Sequence, residues 1–397
     1  MAVAKGRRIH MSVDRFAKKE LLKIGGTAAS RTRLGDIPGL INLGAGDPDF
    51  NQPKFIADAV YKAMMEGHSH YVFGGDPEFK EAVAEYYRKY GVDVDGEKQV
   101  IVTSGGSQAI FQAFAAILNP GDEFIVQDPA YQGYNSPTTY FGAKMVRAKM
   151  TKDENGLFRP DIGNIERAVT DRTKALILCN PDNPAGCVYT KKELKEIAEL
   201  AVEKDFIVFA DEIYTEFIWG NRKHVPIIDM PGMEERTIVL MSFSKTFAWT
   251  GCRAGYIIAG PELAGLINKV PVGICSMPVA FQKAGIEALK NGWEFVKEMR
   301  KAYEKRIDYC VKRINDVPGV SCPTPEGAFY IFADISEFKV PSTKFVEGLL
   351  KDEKLRIVHG TQYGPNGEGN VRFALVKPVE VLGEAIDRFE RYSKKFM

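Results

Sequence analysis

Three short runs limit what this chain can become: Leu176-Ile-Leu-Cys179, Ile207-Val-Phe-Ala210 and Thr237-Ile-Val-Leu-Met241. Each has strand length and is apolar with almost no alternation. A strand with one wet face alternates polar and apolar residues, so these runs need cover on both faces, as in a parallel sheet between helices. Val100-Ile-Val-Thr103 and Phe124-Ile-Val-Gln127 read as further strands, and Lys144 to Lys149 alternates like one. Helical stretches fall between them. Ala109 to Leu118 is closed by Asn119-Pro120-Gly121, and Thr190 with Glu193 forms a capping box that opens another. Strands alternating with helices predict an α/β fold, with a large domain built on a mostly parallel sheet covered by helices.

Four strands of that sheet run into polar residues: Ser104-Gly-Gly-Ser-Gln108, Asn180-Pro-Asp-Asn183, Asp211-Glu-Ile-Tyr214 and Ser242-Phe-Ser-Lys245. Ligands in such sheets bind outside the carboxyl ends of the strands, so one pocket can collect all four groups. A strand feeding a glycine turn and a helix N-terminus, as at Gly105 and Gly106, also makes an anion site. Lys245 sits where a strand stops. Partial desolvation there lowers an amine's pKa and frees a nucleophile, although a solvated surface lysine is the plain alternative. Arg253 adds a fork suited to phosphate. An amine beside a phosphate cradle points to a phosphorylated carbonyl cofactor held as a Schiff base, and pyridoxal 5′-phosphate has that chemistry. Ser242 and Lys245 also spell S-x-x-K, but the S-D-N and K-T-G partners of a penicillin-binding site are missing.

The rest of the chain reads as follows. Up to about Gly35 it is charged and mixed, with an amphipathic helix expected from Val13 to Ile24 in an arm that packs on the rest or on a partner subunit. Leu40 to Leu43 is a short strand that breaks at Gly44-Ala-Gly46-Asp-Pro-Asp49. Pro53 to Glu66 is a helix, and Asp76-Pro77 opens another through Tyr90, Asp as N-cap and Pro as first residue. Beyond Pro278 come a charged helix from Trp293 to Asn315, a strand Ala328 to Phe332, a helix Ser342 to Lys351, a glycine-rich loop Gly360 to Asn370 and a strand Val371 to Leu375. This predicts a smaller α+β domain that takes in the N-terminal segment. The expected division is 1–46 for the arm and part of the small domain, 47–285 for the large domain and 286–397 for the small one.

Composition removes several function classes. The 397 residues carry 53 Lys and Arg against 52 Asp and Glu, a formal net charge of +1, so no basic field awaits nucleic acid or a membrane surface. The first ten residues have no apolar core of a secretory signal. The longest mainly apolar run, Ala109 to Leu118, is too short to span a bilayer. A cytoplasmic place is expected. The six cysteines form no C-x-x-C pair and read as reduced thiols, and His68 with His70 has poor metal spacing, so no metal is expected.

With these residues in view, the chain resembles the fold-type I pyridoxal phosphate enzymes, in particular the class I/II aminotransferases of the aspartate and broad-specificity branch. The resemblance runs from Gly46 to Arg372 through N-P-x-N-P-x-G at Asn180 to Gly186, D-E-I-Y at Asp211 to Tyr214, S-x-S-K-T-F at Ser242 to Phe247 and G-x-R-x-G at Gly251 to Gly255. It implies that Lys245 holds the cofactor, that Asp211 pairs with the pyridine nitrogen, and that Asn183 and Tyr214 bond the ring 3-oxygen. It implies further that Tyr131 stacks on the ring, and that Gly105, Gly106, Ser107, Ser242 and Arg253 hold the phosphate. Tyr71 would reach that phosphate from the partner subunit of a homodimer. Arg372 would clamp the substrate α-carboxylate, with Gly46 beside it.

The activity so implied is a ping-pong transfer of the amino group of an L-amino acid to a 2-oxo acid, 2-oxoglutarate being the expected acceptor. Some aspartate enzymes of this branch carry a lysine for the distal carboxylate where this chain has Ser107, which leaves aspartate, aromatic and neutral donors open. A lyase or decarboxylase on the same fold remains a rival. A regulator without turnover is disfavoured because about 45 mixed residues precede Gly46, too few for a DNA-binding segment. A nicotinamide dehydrogenase is disfavoured because no G-x-G-x-x-G follows a strand.

Overall fold

The apolar runs lie side by side in a seven-stranded sheet. Its strands are β1 (Val100–Thr103), β2 (Glu123–Asp128), β3 (Lys144–Lys149), β4 (Thr173–Cys179), β5 (Ile207–Asp211), β6 (Thr237–Ser242) and β7 (Gly255–Ala259), in the order β1-β7-β6-β5-β4-β2-β3. Strand β7 runs against both neighbours and the other adjacent pairs are parallel. The computed structural model describes Asp14 and residues 17–25, 37–272 and 276–397.

Successive residues of each run enter different cores. Ile125, Leu176, Leu178, Val208 and Val239 pack on one face, whereas Val126, Ile177, Phe209, Ile238 and Leu240 pack on the other with Phe114 and Ile117. Full burial of each such side chain contributes about 2 kcal/mol, so both faces reward an apolar residue and alternation disappears from the sequence.

Helix α1 (Lys54–Met65) and helix α2 (Pro77–Arg88) precede the sheet; the Asp76 side chain caps α2 by accepting from Glu78 N, and the helix stops two residues short of Tyr90. Helix α3 (Gly106–Ile117) begins three residues before the expected Ala109, because Gly105 makes the turn at φ 78° and leaves Gly106 and Ser107 in the first helical turn. The capping box of Thr190 and Glu193 is present.

The second unit holds a three-stranded antiparallel sheet of β8 (Tyr330–Asp334), β9 (Val358–His359) and β10 (Asn370–Ala374), with β10 central, covered by α4 (Ser342–Glu353) and α5 (Val379–Ser393). The expected strand at Ala328 starts two residues later, since Ala328 adopts φ 57°, which extended pairing does not allow. Of Leu40 to Leu43, Ile41–Asn42 pairs in parallel with Leu355–Arg356, and Leu43 O accepts from Ala374 N at 2.9 Å. The arm departs from expectation. Val13, Arg15 and Phe16 lie outside the described residues, and within Ala17 to Gly25 there is a single 3-10 turn, Leu21–Lys23. Leu21 and Leu22 are exposed, so no apolar face is buried to hold a longer helix.

Gly255 pairs with Thr103 on one side and Ser242 on the other. A Cβ there would lie 2.8 Å from Gly105 C and Met241 O, both backbone. Gly255→Ala should therefore cost roughly 1–3 kcal/mol through overpacking, read as a lower denaturation midpoint.

Candidate active site

At the carboxyl end of the sheet, next to the small unit, opens a cavity of about 550 Å³. Gly46, Tyr131, Asn183, Asp211, Tyr214, Lys245 and Arg372 all line it, although they come from six separate chain segments. Lys245 lies in a four-residue helix, Phe243–Thr246, that follows β6 directly, and its Nζ donates to Gly46 O at 2.6 Å. Burial is the main force that lowers its pKa, to about 8, with Arg372 and Arg253 adding to it and Asp47 and Asp211 opposing.

Asp211 ends β5 and is 2% exposed. Tyr134 Oη donates to its Oδ2 at 2.6 Å. Burial nonetheless raises the carboxyl to about 6, because a neutral hydroxyl and a long bond of 3.4 Å from Ile213 N do not replace the hydration of an anion. The group is therefore short of a cationic partner. Asn183 Nδ2 lies 3.4 Å from Tyr214 Oη, and the Tyr214 and Tyr330 hydroxyls share a bond of 2.8 Å. Arg372 stands on central strand β10, with Val371 and Phe373 buried on the opposite face. Its Nη1 donates to Asn183 Oδ1 at 3.0 Å and its Nη2 to Gly44 O at 2.7 Å, while its buried Nε has no partner among the described residues.

A second cluster flanks the first. Arg253 Nη1 donates to Thr250 O at 2.8 Å and Nη2 to Ser104 O at 3.1 Å, which lays the guanidinium over Gly105. A Cβ on Gly105 would stand 2.7 Å from that Nη2. Ser242 Oγ accepts from Ser244 N at 3.1 Å and approaches Gly106, whose Cβ would lie 3.4 Å from Ser242 Cβ. Gly106 and Ser107, in the first turn of α3, offer N–H groups that no helical carbonyl takes. Tyr71 is apart from both clusters. It is 72% exposed and borders a different hollow with Met64, Phe73 and Phe281.

The matched family is aminotransferase class I and II, over residues 38–389. This chain belongs to it. It is 38% identical over 364 residues to an aspartate aminotransferase of Pyrococcus horikoshii, covering 90% of this chain and 92% of the relative. It is equally similar, at 38% and with 90% and 93% covered, to aromatic-amino-acid aminotransferase 2 of Thermococcus litoralis. Its structure superposes on an alanine aminotransferase from Pyrococcus furiosus with a TM-score of 0.87 at 34% identity, covering 96% and 100%.

Aminotransferases of this class depend on pyridoxal 5′-phosphate, and the residues present fit that group: a buried carboxylate short of a cation, a desolvated amine, and an arginine above a glycine turn at a helix N-terminus. Sequence reading of this aminotransferase missed Tyr134 and Tyr330, and also Arg356, His359 and Gln362, which line the same cavity. Tyr330 explains Gly46: any Cβ at that position would collide with the Tyr330 hydroxyl. Tyr330 sits in an aromatic strand and carries no local mark that separates it from core.

The raised carboxyl of Asp211 has a consequence for the cofactor-free protein. Its folded value of about 6 lies above its ordinary 3.8, so folding takes up a proton between the two and stability falls as pH rises through that window. The charge costs on the order of 3 kcal/mol above it. Asp211→Asn should leave the cofactor-free chain at least as stable as wild type at about pH 8 and lose that advantage near pH 4, read by thermal denaturation.

Proposed function

We propose that this enzyme moves the amino group of an L-amino acid to a 2-oxo acid, 2-oxoglutarate foremost, in two half-reactions that share one cavity. The donors come from the aspartate, aromatic and alanine classes for which its relatives are named. The observation that carries this reading is the desolvated Lys245 amine in one cavity with Asp211 and Arg372.

When bound, pyridoxal 5′-phosphate supplies an electron sink for charge that develops at the substrate Cα. Lys245 would hold the cofactor at rest and, once the donor's amino group has displaced it, would carry a proton with its freed neutral amine from the substrate Cα to the cofactor C4′, and back the other way in the second half-reaction. Asp211, oriented by Tyr134, keeps the ring nitrogen protonated. Asn183 and Tyr214 bond the ring 3-oxygen, and Tyr131 stacks on the ring face. Backbone N–H groups of Gly105, Gly106 and Ser107, with Ser242 and Arg253, hold the phosphate. Arg372 binds the substrate α-carboxylate through a two-pronged contact beside Gly46. Gly46 O, which accepts from Lys245 Nζ, keeps the amine aimed into the cavity.

The same proposal includes a homodimer. Tyr61, Met64, Met65, Tyr71 and Phe73 are all exposed between positions 61 and 73, and Met64, Tyr71 and Phe73 border one hollow, apolar surface of the kind that a partner subunit covers. Tyr71 would then reach the phosphate of the partner's site. It also includes a division into 47–285 and 286–397, with residues 1–46 as arm and part of the small domain, and a cytoplasmic place. Among the described residues no helix is long and apolar enough to cross a membrane.

The test is an absorption spectrum of the purified protein before and after single amino acids, without any oxo acid. A yellow protein bleached by certain donors supports the proposal and ranks them; release of ammonia or carbon dioxide with the colour kept would replace it by a lyase or decarboxylase. Lys245→Ala should abolish turnover, and Arg372→Ala should weaken every donor together. The rate at which the cofactor-free protein captures pyridoxal 5′-phosphate should rise with pH around a midpoint near 8, where the Lys245 amine loses its proton, rather than near 10.5.

A further inference from the structure

The roles above give no part to one cation in the cavity wall, Arg356. It lines the cavity together with Arg372 and is half-buried, whereas Glu347, on the same wall, is exposed at the mouth. Its backbone is fixed on both sides of the side chain. Ile41 N donates to Lys354 O at 3.0 Å, Leu43 N donates to Arg356 O at 2.8 Å, and Asn42 stands beside Arg356 in the parallel pair.

Gly44 brings the two arginines to one spot. Its carbonyl accepts from Arg372 Nη2 at 2.7 Å, and a Cβ on it would lie 3.3 Å from Arg356 Nε and 3.4 Å from Arg356 Cγ. A side chain at position 44 would press on the stem of Arg356, which would have to give by a few tenths of an ångström. Glycine lets both arginine side chains pass the same backbone turn, and both line the one cavity. A guanidinium on a fixed backbone is a ready reader of a carboxylate.

We propose that Arg356 determines donor specificity by binding the distal carboxylate of a dicarboxylic substrate whose α-carboxylate sits on Arg372. This rests on the aminotransferase reading of the site and names its substrate class: acidic amino acids and acidic oxo acids with two or three carbons between the carboxylates. Both half-reactions use one cavity, so the same arginine serves the donor and the acceptor. The apolar wall residues Val346, Leu350 and Ile357 are the competing reader, which would favour aromatic or aliphatic donors.

The experiment compares cofactor-loaded wild type with Arg356→Gln and Arg356→Lys. Half-reactions are followed by loss of the yellow band with aspartate, glutamate, alanine and phenylalanine. Binding of succinate, which has no amino group to transfer, is followed against propionate by the shift of the same band. For Arg356→Gln the expected result is a loss in kcat/KM on the order of 100-fold for aspartate and glutamate, seen mainly in KM, with alanine and phenylalanine within about threefold of wild type. Wild type should bind succinate more tightly than propionate, and Arg356→Gln should lose that preference. Arg356→Lys, which keeps the charge without the fork, should fall between. Equal losses for all four donors, unchanged acidic donors, or a wild type that prefers phenylalanine and alanine would each overturn the assignment. A wild type that no donor bleaches would instead remove the transamination reading, and the succinate comparison would still decide whether Arg356 binds a second carboxylate.

Discussion

Covering both faces of the seven-stranded sheet drives polar chemistry to its carboxyl edge. Leu176, Ile177, Val208, Phe209, Ile238 and Val239 are all essentially inaccessible, and an unpaired charge among them would cost several kcal/mol. Asp211 and Lys245 escape this only because each sits at or just past a strand's last residue, where the layers part. Even there the medium remains poor in water. It raises the Asp211 carboxyl and lowers the Lys245 amine, which makes the one a partner for a cation and the other a nucleophile. Fold and reactivity thus share one cause.

The sheet supplies only part of the wall. Arg372, Tyr330 and Arg356 belong to the small unit, and Gly44 to Gly46 belong to the strand-like segment that ties the two together. The tyrosine pair Tyr214 and Tyr330 joins the two sides through a single hydroxyl contact. Arg372 bonds to Asn183 on one side and Gly44 on the other. A shift of the small unit therefore moves Arg372 relative to Lys245, and the geometry of the cavity depends on both packings at once.

Much of this was legible in the amino-acid order. Lys245, Asp211, Asn183 and Tyr214 occupy strand ends that apolar runs announce, and Asp76-Pro77 and Thr190 with Glu193 mark helix starts by local hydrogen bonding that short windows reveal. What was not legible is of two kinds. Tyr134 and Tyr330 act on partners 77 and 116 positions away, and nothing near them in sequence distinguishes a hydroxyl that meets a carboxylate from one that fills a core. Arg356 looks like any arginine in a short strand until Gly44 is seen beneath it. The arm shows the opposite failure: its pattern suited a helix, but with Leu21 and Leu22 exposed the described residues from Ala17 to Gly25 form a single turn at Leu21–Lys23.

Gly44 and Gly46 meet residues that lie 328 and 199 positions further along the chain. During synthesis at about 5–20 residues per second, the early segment that walls the cavity leaves the ribosome long before Lys245, and longer still before Arg372. The sheet can collapse as its strands emerge, but the pocket closes only after nearly the whole chain is out. A complete cavity is thereby tied to completion of the polypeptide, and a chain cut short within the last strand of the small sheet would keep Lys245 yet lack Arg372 in the wall opposite it.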